Sequence, residues 1–324
     1  MNADCKPGEL VGLLRTMMVI RRFEERTLEL QAAGLVHGAV HPSIGQEAAA
    51  VGVCSLLRPE DRLVSTHRGH GHCIAKGADL DRMMAELFGR RDGYCRGKGG
   101  SMHVAAFEVG MLGANGIVAG GLPIAAGAAL AEMLAGSDNV AVGFFGDGAT
   151  GEGAFHESMN VSRLWNLPVV WVCENNLYAA DTALENTMPT PDAARYAAGY
   201  DMPSLIVDGN DVLAVRAAAA EAINRARTGG GPTFLEAKTF RRTQHVVRGA
   251  PVPDRRPAEI HAEWLRRDPI DRFSARLAAA GELPDDVLVG VKEDVEQALT
   301  AAIAFAAASP FPEPDEAFDG VFGQ

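Results

Sequence analysis

Residues 140–160 read VAVGFFGDGATGEGAFHESMN, and the order of features in this segment predicts the fold class of the chain. An apolar run at 140–145 ends abruptly in Gly146-Asp147-Gly148, and an amphipathic helical pattern follows. A short apolar run that stops at glycines before a helix is typical of a buried strand in an α/β sheet. The glycines permit a sharp turn and the close approach of a ligand. Asp147 is therefore expected at the carboxyl end of a strand, where open parallel sheets bind their ligands.

The same alternation of strand and helix patterns extends along most of the chain. Apolar runs predict strands at 62–65, 140–145, 168–173, 205–207 and 233–237. Periodic apolar positions and end signals predict helices at 8–33, 45–57, 79–88, 122–134, 152–165 and 212–227. This alternation predicts an α/β fold with a mostly parallel sheet and helices on both faces.

Two segments depart from the alternation. Residues 89–121 are rich in glycine with little periodicity, and such a long irregular stretch in a compact domain is usually functional. From Pro257 the chain is helical and ends in a proline-rich acidic tail, SPFPEPDEAFDG, which we expect to be solvated.

Because we find no repeat and no linker, we expect a single domain over 1–324. Its core would span about 10–255, and a helical C-terminal extension would span about 256–324.

Composition excludes several classes of partner. The chain has 324 residues, of which 47% are hydrophobic and 22% charged, so it can bury a sizeable core. A net charge of −12 argues against nucleic acid and anionic membranes as partners. No apolar run reaches the roughly 20 residues of a membrane helix, and we see no signal peptide. The five scattered cysteines indicate reduced thiols, and we expect a cytoplasmic protein.

A second strand pattern, LPVVWVC, ends in Glu174-Asn175-Asn176, so two neighbouring strands bring oxygen-bearing side chains to one place. The Asp147 carboxylate, the Asn176 amide oxygen and a nearby backbone carbonyl would form an all-oxygen site. Such a site suits Mg²⁺, which usually shares its ligands with substrate phosphates. The alternative is that Asp147 is only a turn or N-cap residue.

Histidines crowd together at His67, His70 and His72. Their spacing resembles that of a metal site, but without cysteines it is weak evidence for zinc. We therefore expect His70 and His72 to form hydrogen bonds within their loop.

An ordered series of motifs resembles a known family over roughly residues 10–312. Besides GDGATGEGAFHE (146–157) and VCENNLYA (172–179), it includes HPSIGQEA (41–48), STHRGHGHCIAKG (65–77), RGKGGSMH (96–103), MLGANGIV (111–118) and VDGND (207–211). The chain resembles the α subunit of the thiamine diphosphate-dependent E1 component of 2-oxo acid dehydrogenases. It looks most like the acetoin dehydrogenase and pyruvate dehydrogenase branches, and the branched-chain enzymes are an alternative.

The resemblance implies that Asp147, Asn176 and the Tyr178 carbonyl ligate Mg²⁺. It implies that Gly148 and Ala149 direct backbone N–H groups at the diphosphate, at the N-terminus of the following helix, a position that favours anions.

The resemblance assigns further contacts to the cofactor. Arg68 and Arg241 would bind the diphosphate, and His67 would face it.

The remaining assignments concern the ring of the cofactor and the reaction. Gly116 and Val118 would bind the aminopyrimidine ring through their backbones. His41 and His245 match two active-site histidines, and a histidine with a pKa near neutrality can move the protons that acyl transfer requires.

The resemblance also implies partners. In this family a glutamate that activates the aminopyrimidine belongs to a separate β subunit, so we expect an α₂β₂ heterotetramer and an incomplete site in this chain alone. The substrate would be a small 2-oxo acid or acetoin, and a lipoyl-bearing E2 component would accept the acyl unit.

Residues 239–260, TFRRTQHVVRGAPVPDRRPAEI, depart from the family pattern. His245 is kept, but Thr243 and Gln244 are unusual, and Gly249 and Asp254 stand where other residues are expected. These changes leave open a second hypothesis, in which a two-carbon unit passes to a carrier protein or an aldehyde. A third is a scaffold homologue without cofactor. A dinucleotide-binding protein is disfavoured, because no GxGxxG follows the first strand.

Overall fold

The computed structural model describes residues 7–248 and 254–319. Its centre is a six-stranded sheet in the order β2-β1-β3-β4-β8-β7, in which every pairing is parallel. The predicted α/β class is confirmed, and the predicted strands lie within two residues of those observed. The strands are β1 Arg62–Val64, β2 Met111–Gly113, β3 Ala141–Gly146, β4 Val169–Asn175, β7 Ser204–Asp208 and β8 Thr233–Lys238, with a small antiparallel pair of β5 Tyr178–Ala179 and β6 Thr182–Ala183.

Helices cover both faces of this sheet, as expected. They are α1 Pro7–Ala32, α2 Glu47–Cys54, α3 His70–Ala75, α4 Leu80–Leu87, α5 Gly121–Ala135, α6 Gly153–Leu164, α7 Val212–Arg227, α8 Ala258–Leu265, α9 Pro269–Ala279 and α10 Asp285–Ala308. One buried cluster lies between the sheet and α1–α4, α7, α9 and α10, and the other lies beneath α5 and α6. Within the described residues no helix has the length and apolarity needed to span a membrane.

The two central strands position the functional site. β3 and β4 are buried along nearly their whole length and pair in register up to Gly146 opposite Glu174. Gly143 is needed here, because a Cβ would lie 2.7 Å from the Trp171 ring packed across it. Asp147 and Asn176 therefore leave the sheet side by side at its carboxyl edge, as the sequence predicted.

The glycine-rich segment 89–121 is more ordered than the sequence suggested. It contains β2 and two short 3₁₀ turns, which periodicity does not reveal because each spans only three residues. Glu86, fully buried at the end of α4, organises the first part. Its carboxylate accepts the backbone N–H groups of Cys95, Gly97, Gly99 and Gly100 at 2.7–3.0 Å.

We predict that Glu86→Gln destabilises the chain by about 2 kcal/mol, because an amide keeps only one acceptor oxygen for these four donors. Denaturant unfolding of the variant against wild type measures the loss. The exposed Glu185→Gln is the matched control and should leave the free energy of unfolding unchanged. Equal stability of the two variants would contradict this account of the glycine segment.

The prediction that the acidic tail is solvated is wrong for Glu316. This residue is buried, and its carboxylate pairs with Arg91 at 3.1 Å. The Lys98 ammonium donates to the backbone carbonyls of Glu316 and Asp319. Basic residues of segment 89–121 thus bind the acidic tail. The two segments are far apart along the chain, so the sequence pattern of neither one predicts this contact.

Candidate functional site

A cavity of about 390 Å³ opens at the carboxyl ends of β3 and β4. The structure brings to its walls every residue that the resemblance assigned to the metal, the cofactor or the reaction. These are His41, His67, Arg68, Gly116, Val118, Asp147, Gly148, Ala149, Asn176, Tyr178, Arg241 and His245. They come from segments spread over more than half of the chain, and the parallel sheet with its connections gathers them at one edge.

Asp147 is an under-satisfied buried acid. Its side chain is 1% exposed; Oδ1 accepts the backbone N–H of Asn176 at 3.2 Å, and Oδ2 has no hydrogen-bond partner. Burial raises the pKa of Asp147 to about 6, with the Asn176 N–H opposing the shift. A buried carboxylate oxygen without a donor is costly. A cation ligated by this oxygen would remove that cost, so the donor set fits a metal ion.

Asn176 connects the acid to the rest of the wall. Its Nδ2 donates to Gln46 Oε1 at 3.2 Å, and its Oδ1 accepts from Arg241 Nε at 3.3 Å. Gln46 also lines the cavity. The sequence did not indicate that Gln46 would bond Asn176, although Gln46 lies within the motif HPSIGQEA. Two polar side chains, Gln46 and Arg241, thus fix the Asn176 amide, while its backbone N–H bonds Asp147.

Two buried arginines give the cavity positive charge. Arg68 Nη1 donates to the carbonyl of Pro42 at 2.5 Å, and Arg241 Nη2 donates to that of Ala180 at 2.6 Å. Burial lowers the pKa of Arg68 to about 10 and that of Arg241 to about 9. Neither forms an ion pair with a carboxylate among residues 7–248 and 254–319, and Arg241 Nη1 is buried without a partner. Such cations fit an anionic ligand.

The turn after β3 leaves room for a ligand. A Cβ on Gly148 would lie 2.7 Å from the Cβ of Ala179, so only glycine fits. Gly148 and Ala149 lie in a 3₁₀ turn, Asp147–Gly151, which precedes α6. The resemblance put them at the N-terminus of the following helix; in the structure one tight turn separates them from it, because Glu152 is extended and α6 begins at Gly153.

Three imidazoles meet at one side of the cavity. The rings of His41, His67 and His245 lie with centroids 4.6–5.2 Å apart. Burial, followed by the charge of Arg68, lowers their pKa values to about 4, about 2 and about 3. These pKa values keep all three imidazoles neutral at pH 7, and they lie below the near-neutral pKa expected of a proton-transferring histidine.

The zinc hypothesis for His67, His70 and His72 does not hold. The three histidines that converge are instead His41, His67 and His245, whose ligand atoms lie within 4.8 Å of one another. The buried cations Arg68 and Arg241 face this group and disfavour a metal ion there.

His70 and His72 were expected in a loop. They lie instead in the short helix α3. His72 Nδ1 lies 2.7 Å from Ser65 Oγ, and its Nε2 lies 3.4 Å from a Glu174 carboxylate oxygen. His70 contacts Glu24 and Ser101, on other elements. Sequence reasoning missed the partners Glu24, Ser101 and Glu174, because they are far away along the chain.

The divergent segment after β8 closes over the site. Val247 pairs with Val40 in an antiparallel bridge beside His41. Arg256 donates to the carbonyl of Arg241 at 2.6 Å and lies over the Phe240 ring. Gly249 lies outside the described residues.

Known proteins with similar sequences identify the family of this chain. The model of the family described as "Dehydrogenase E1 component" matches residues 15–315. The α subunit of acetoin:2,6-dichlorophenolindophenol oxidoreductase from Bacillus subtilis (strain 168) is 46% identical over 96% of this chain and 92% of its own length. The same subunit from Cupriavidus necator is 42% identical, covering 97% and 94%. The pyruvate dehydrogenase E1 component α subunit from Zymomonas mobilis is 40% identical, covering 97% and 88%.

These similarities extend along nearly the whole chain and include every segment that reaches the cavity. The family implies thiamine diphosphate as cofactor, and a chain named as an α subunit implies a β subunit as partner. The chain belongs to the dehydrogenase E1 component family and is an oxidoreductase of its α-subunit type.

Proposed function

We propose that this chain holds thiamine diphosphate through Mg²⁺ at the cavity and works with a β subunit as an acetoin- or pyruvate-type E1 enzyme. The observation that carries the proposal is the buried Asp147 Oδ2, which has no partner and points to a cation. The metal ligands would be Asp147, the Asn176 amide oxygen and the Tyr178 carbonyl. The diphosphate would supply further oxygens, as Mg²⁺ sites commonly require.

The diphosphate would be held by charge and by the turn after β3. Arg68 and Arg241 are buried cations without carboxylate partners in the described part of the chain, and His67 lies beside Arg68 on the same wall. Backbone N–H groups of Gly148 and Ala149 would complete the anion site. Gly116 and Val118 would bind the aminopyrimidine ring by their backbones.

His41 and His245 are proposed as the catalytic residues. When bound, thiamine diphosphate supplies the nucleophilic carbon that adds to a substrate carbonyl. A bound diphosphate would offset the charges of Arg68 and Arg241, which lower the pKa values of both imidazoles. The two histidines would then accept and return protons at the substrate.

The assembly we propose is an α₂β₂ heterotetramer in the cytoplasm, with residues 1–324 as one domain. Its substrate is acetoin or a small 2-oxo acid, and its acyl acceptor is a lipoyl-bearing E2 component. The altered residues Thr243 and Gln244 lie between Arg241 and His245, which line the cavity, so a different acceptor is the second candidate.

A half-reaction assay tests this function. The chain is co-expressed with its β partner, supplied with thiamine diphosphate, Mg²⁺ and 2,6-dichlorophenolindophenol, and offered acetoin, pyruvate, 2-oxobutyrate and branched 2-oxo acids. We expect turnover of acetoin or pyruvate. Turnover without acylation of any lipoyl domain would favour the second acceptor, and silence across the panel would contradict the proposal.

We predict that Mg²⁺-dependent cofactor affinity falls as the pH drops below 6. The Asp147 carboxyl is ionised above its pKa of about 6 and protonated below it, so a proton competes with Mg²⁺ in acid. The apparent dissociation constant should rise by about tenfold per pH unit below that pKa. Calorimetric titration from pH 5 to pH 8 measures this dependence. A flat profile would show that Asp147 does not ligate the metal.

A further inference from the structure

A fully buried glutamate connects two walls of the cavity without touching it. Glu24, on α1, is 0% exposed. Its Oε1 accepts the Ser43 backbone N–H at 2.8 Å and the Ser43 hydroxyl at 2.9 Å. Its Oε2 lies 2.9 Å from His70 Nδ1. The carboxylate is therefore satisfied by three donors from two different elements.

Two chains of hydrogen bonds leave Glu24, and we call them its first arm, through Ser43, and its second arm, through His70 and Ser101. The first arm reaches the wall that carries the proposed catalytic His41. Ser43 follows His41 by two positions, and the carbonyl of Pro42, between them, accepts from Arg68 Nη1 at 2.5 Å. Fixing Ser43 thus fixes both the His41 backbone and a contact that orients the Arg68 guanidinium. Gly71 allows this close packing, because a Cβ there would lie 2.9 Å from Ser43 Oγ.

The second arm passes through an imidazole to the glycine-rich segment. His70 is 1% exposed, and its Nε2 lies 3.0 Å from Ser101 Oγ. Nδ1–H donates to the carboxylate, and Nε2 forms a second hydrogen bond with the Ser101 hydroxyl. The next residue, Met102, lines the cavity.

The ionised state of the acid supports both arms. Burial alone would raise the pKa of Glu24, but the charge and hydrogen bond of His70, together with the backbone and side-chain hydrogen bonds of Ser43, outweigh it and lower that pKa. Hydrogen bonds to a carboxylate are about twice as strong as those between neutral groups. Removing the charge while keeping the shape should therefore loosen both arms.

We propose that Glu24, acting through Ser43 and through His70 with Ser101, is a positioning residue that holds loops 41–43 and 99–102 in the geometry that binds the cofactor and aligns His41. The inference rests on the proposed function of the cavity. It adds a residue that makes no cofactor contact and that none of the site assignments includes.

The test uses the complete αβ complex. Glu24→Gln keeps the side-chain shape, and Glu132→Gln is the matched control. Glu132 is also a buried carboxylate, it accepts a serine hydroxyl at 2.7 Å from Ser137, and it does not line the cavity. Calorimetry gives the dissociation constant of thiamine diphosphate with Mg²⁺, and the half-reaction at saturating cofactor gives kcat.

We expect Glu24→Gln to raise the dissociation constant and lower kcat at saturating cofactor by about tenfold each, the effect of losing one strong hydrogen bond. Glu132→Gln should leave both values within about twofold of wild type, the scatter expected for a change distant from the site. A merely structural role for Glu24 would lower the thermal stability of Glu24→Gln and spare kcat.

The outcomes separate the two proposals. If the wild-type complex binds the cofactor and Glu24→Gln has the same dissociation constant and kcat, this inference is overturned and the proposed function stands. If the wild-type complex does not bind the cofactor, both the inference and the proposed function are overturned. If Glu24→Gln fails to assemble, Ser101→Ala decides, with Ser137→Ala as its control. Weaker cofactor binding in Ser101→Ala alone supports the inference, and equal binding in the two serine variants overturns it.

Discussion

Replacing Asp147 with alanine should abolish Mg²⁺-dependent binding of thiamine diphosphate while leaving the chain folded. The substitution removes a carboxylate oxygen that has no protein partner, at the wall of a cavity rather than within packed core. Loss of an anionic metal ligand should weaken cofactor affinity by at least about a thousandfold, equivalent to about 4 kcal/mol. Calorimetry of the αβ complex with and without Mg²⁺ measures the loss.

The matched control is Glu152→Ala, since Glu152 is an exposed carboxylate that lines the same cavity. Its affinity for the cofactor should stay close to that of wild type. Wild-type affinity in Asp147→Ala would refute the metal assignment.

The same residue should reveal a cost in stability when no cofactor is present. Burial raises the pKa of Asp147 to about 6, above its ordinary value of 3.8. A raised folded-state pKa contributes stability that is present in acid and lost as the pH rises through the folded pKa. Asp147→Asn should therefore melt at a higher temperature than wild type at pH 8, and this advantage should vanish near pH 4. A variant that is less stable than wild type at pH 8 would contradict this reading.

The second large effect concerns the partner subunit: the chain alone should show almost no half-reaction turnover. Three carboxylates line the cavity among the described residues: Asp147 is assigned to the metal, Glu174 pairs with His72 at 3.4 Å, and Glu152 is exposed. None is left to act on the aminopyrimidine. The apolar side chains of Ile117 and Val118, 73% and 49% exposed, stand at this wall and suit cover by another chain.

Without the proton transfer that we propose for the β subunit, the rate should fall by at least about a hundredfold, the usual contribution of a general acid–base group. Titrating β subunit into the chain, with oxidant reduction as readout, should restore turnover and saturate at equimolar amounts. Turnover by the chain alone at the rate of the complex would refute the partner requirement.

Local pattern predicted the sheet because its central strands are nearly continuous apolar runs. β3 and β4 were placed within two residues, and the predicted helix 212–227 coincides with α7. The short elements β2 and α3 were not predicted, because neither contains a clear apolar pattern. β2 spans three residues, and α3 carries buried histidines where an amphipathic pattern would be expected.

The meeting of Asp147 with Asn176 was also predictable, because parallel strands end at one edge of the sheet. The position of the histidines was not. His41, His67 and His245 lie on three separate connections, so only the resemblance placed them together. The Glu24–His70–Ser101 network joins a helix, a second helix and a loop, and no spacing rule connects them.

The central claim is that a metal ion binds between the ends of β3 and β4 and holds thiamine diphosphate there. The most direct test is a crystal structure of the αβ complex grown with thiamine diphosphate and Mn²⁺, which accepts the same oxygen ligands as Mg²⁺. An anomalous difference map should place one manganese peak between the Asp147 carboxylate and the Asn176 side chain, beside the diphosphate. A peak at the imidazoles of His41, His67 and His245, or cofactor bound with no metal at Asp147, would contradict the account.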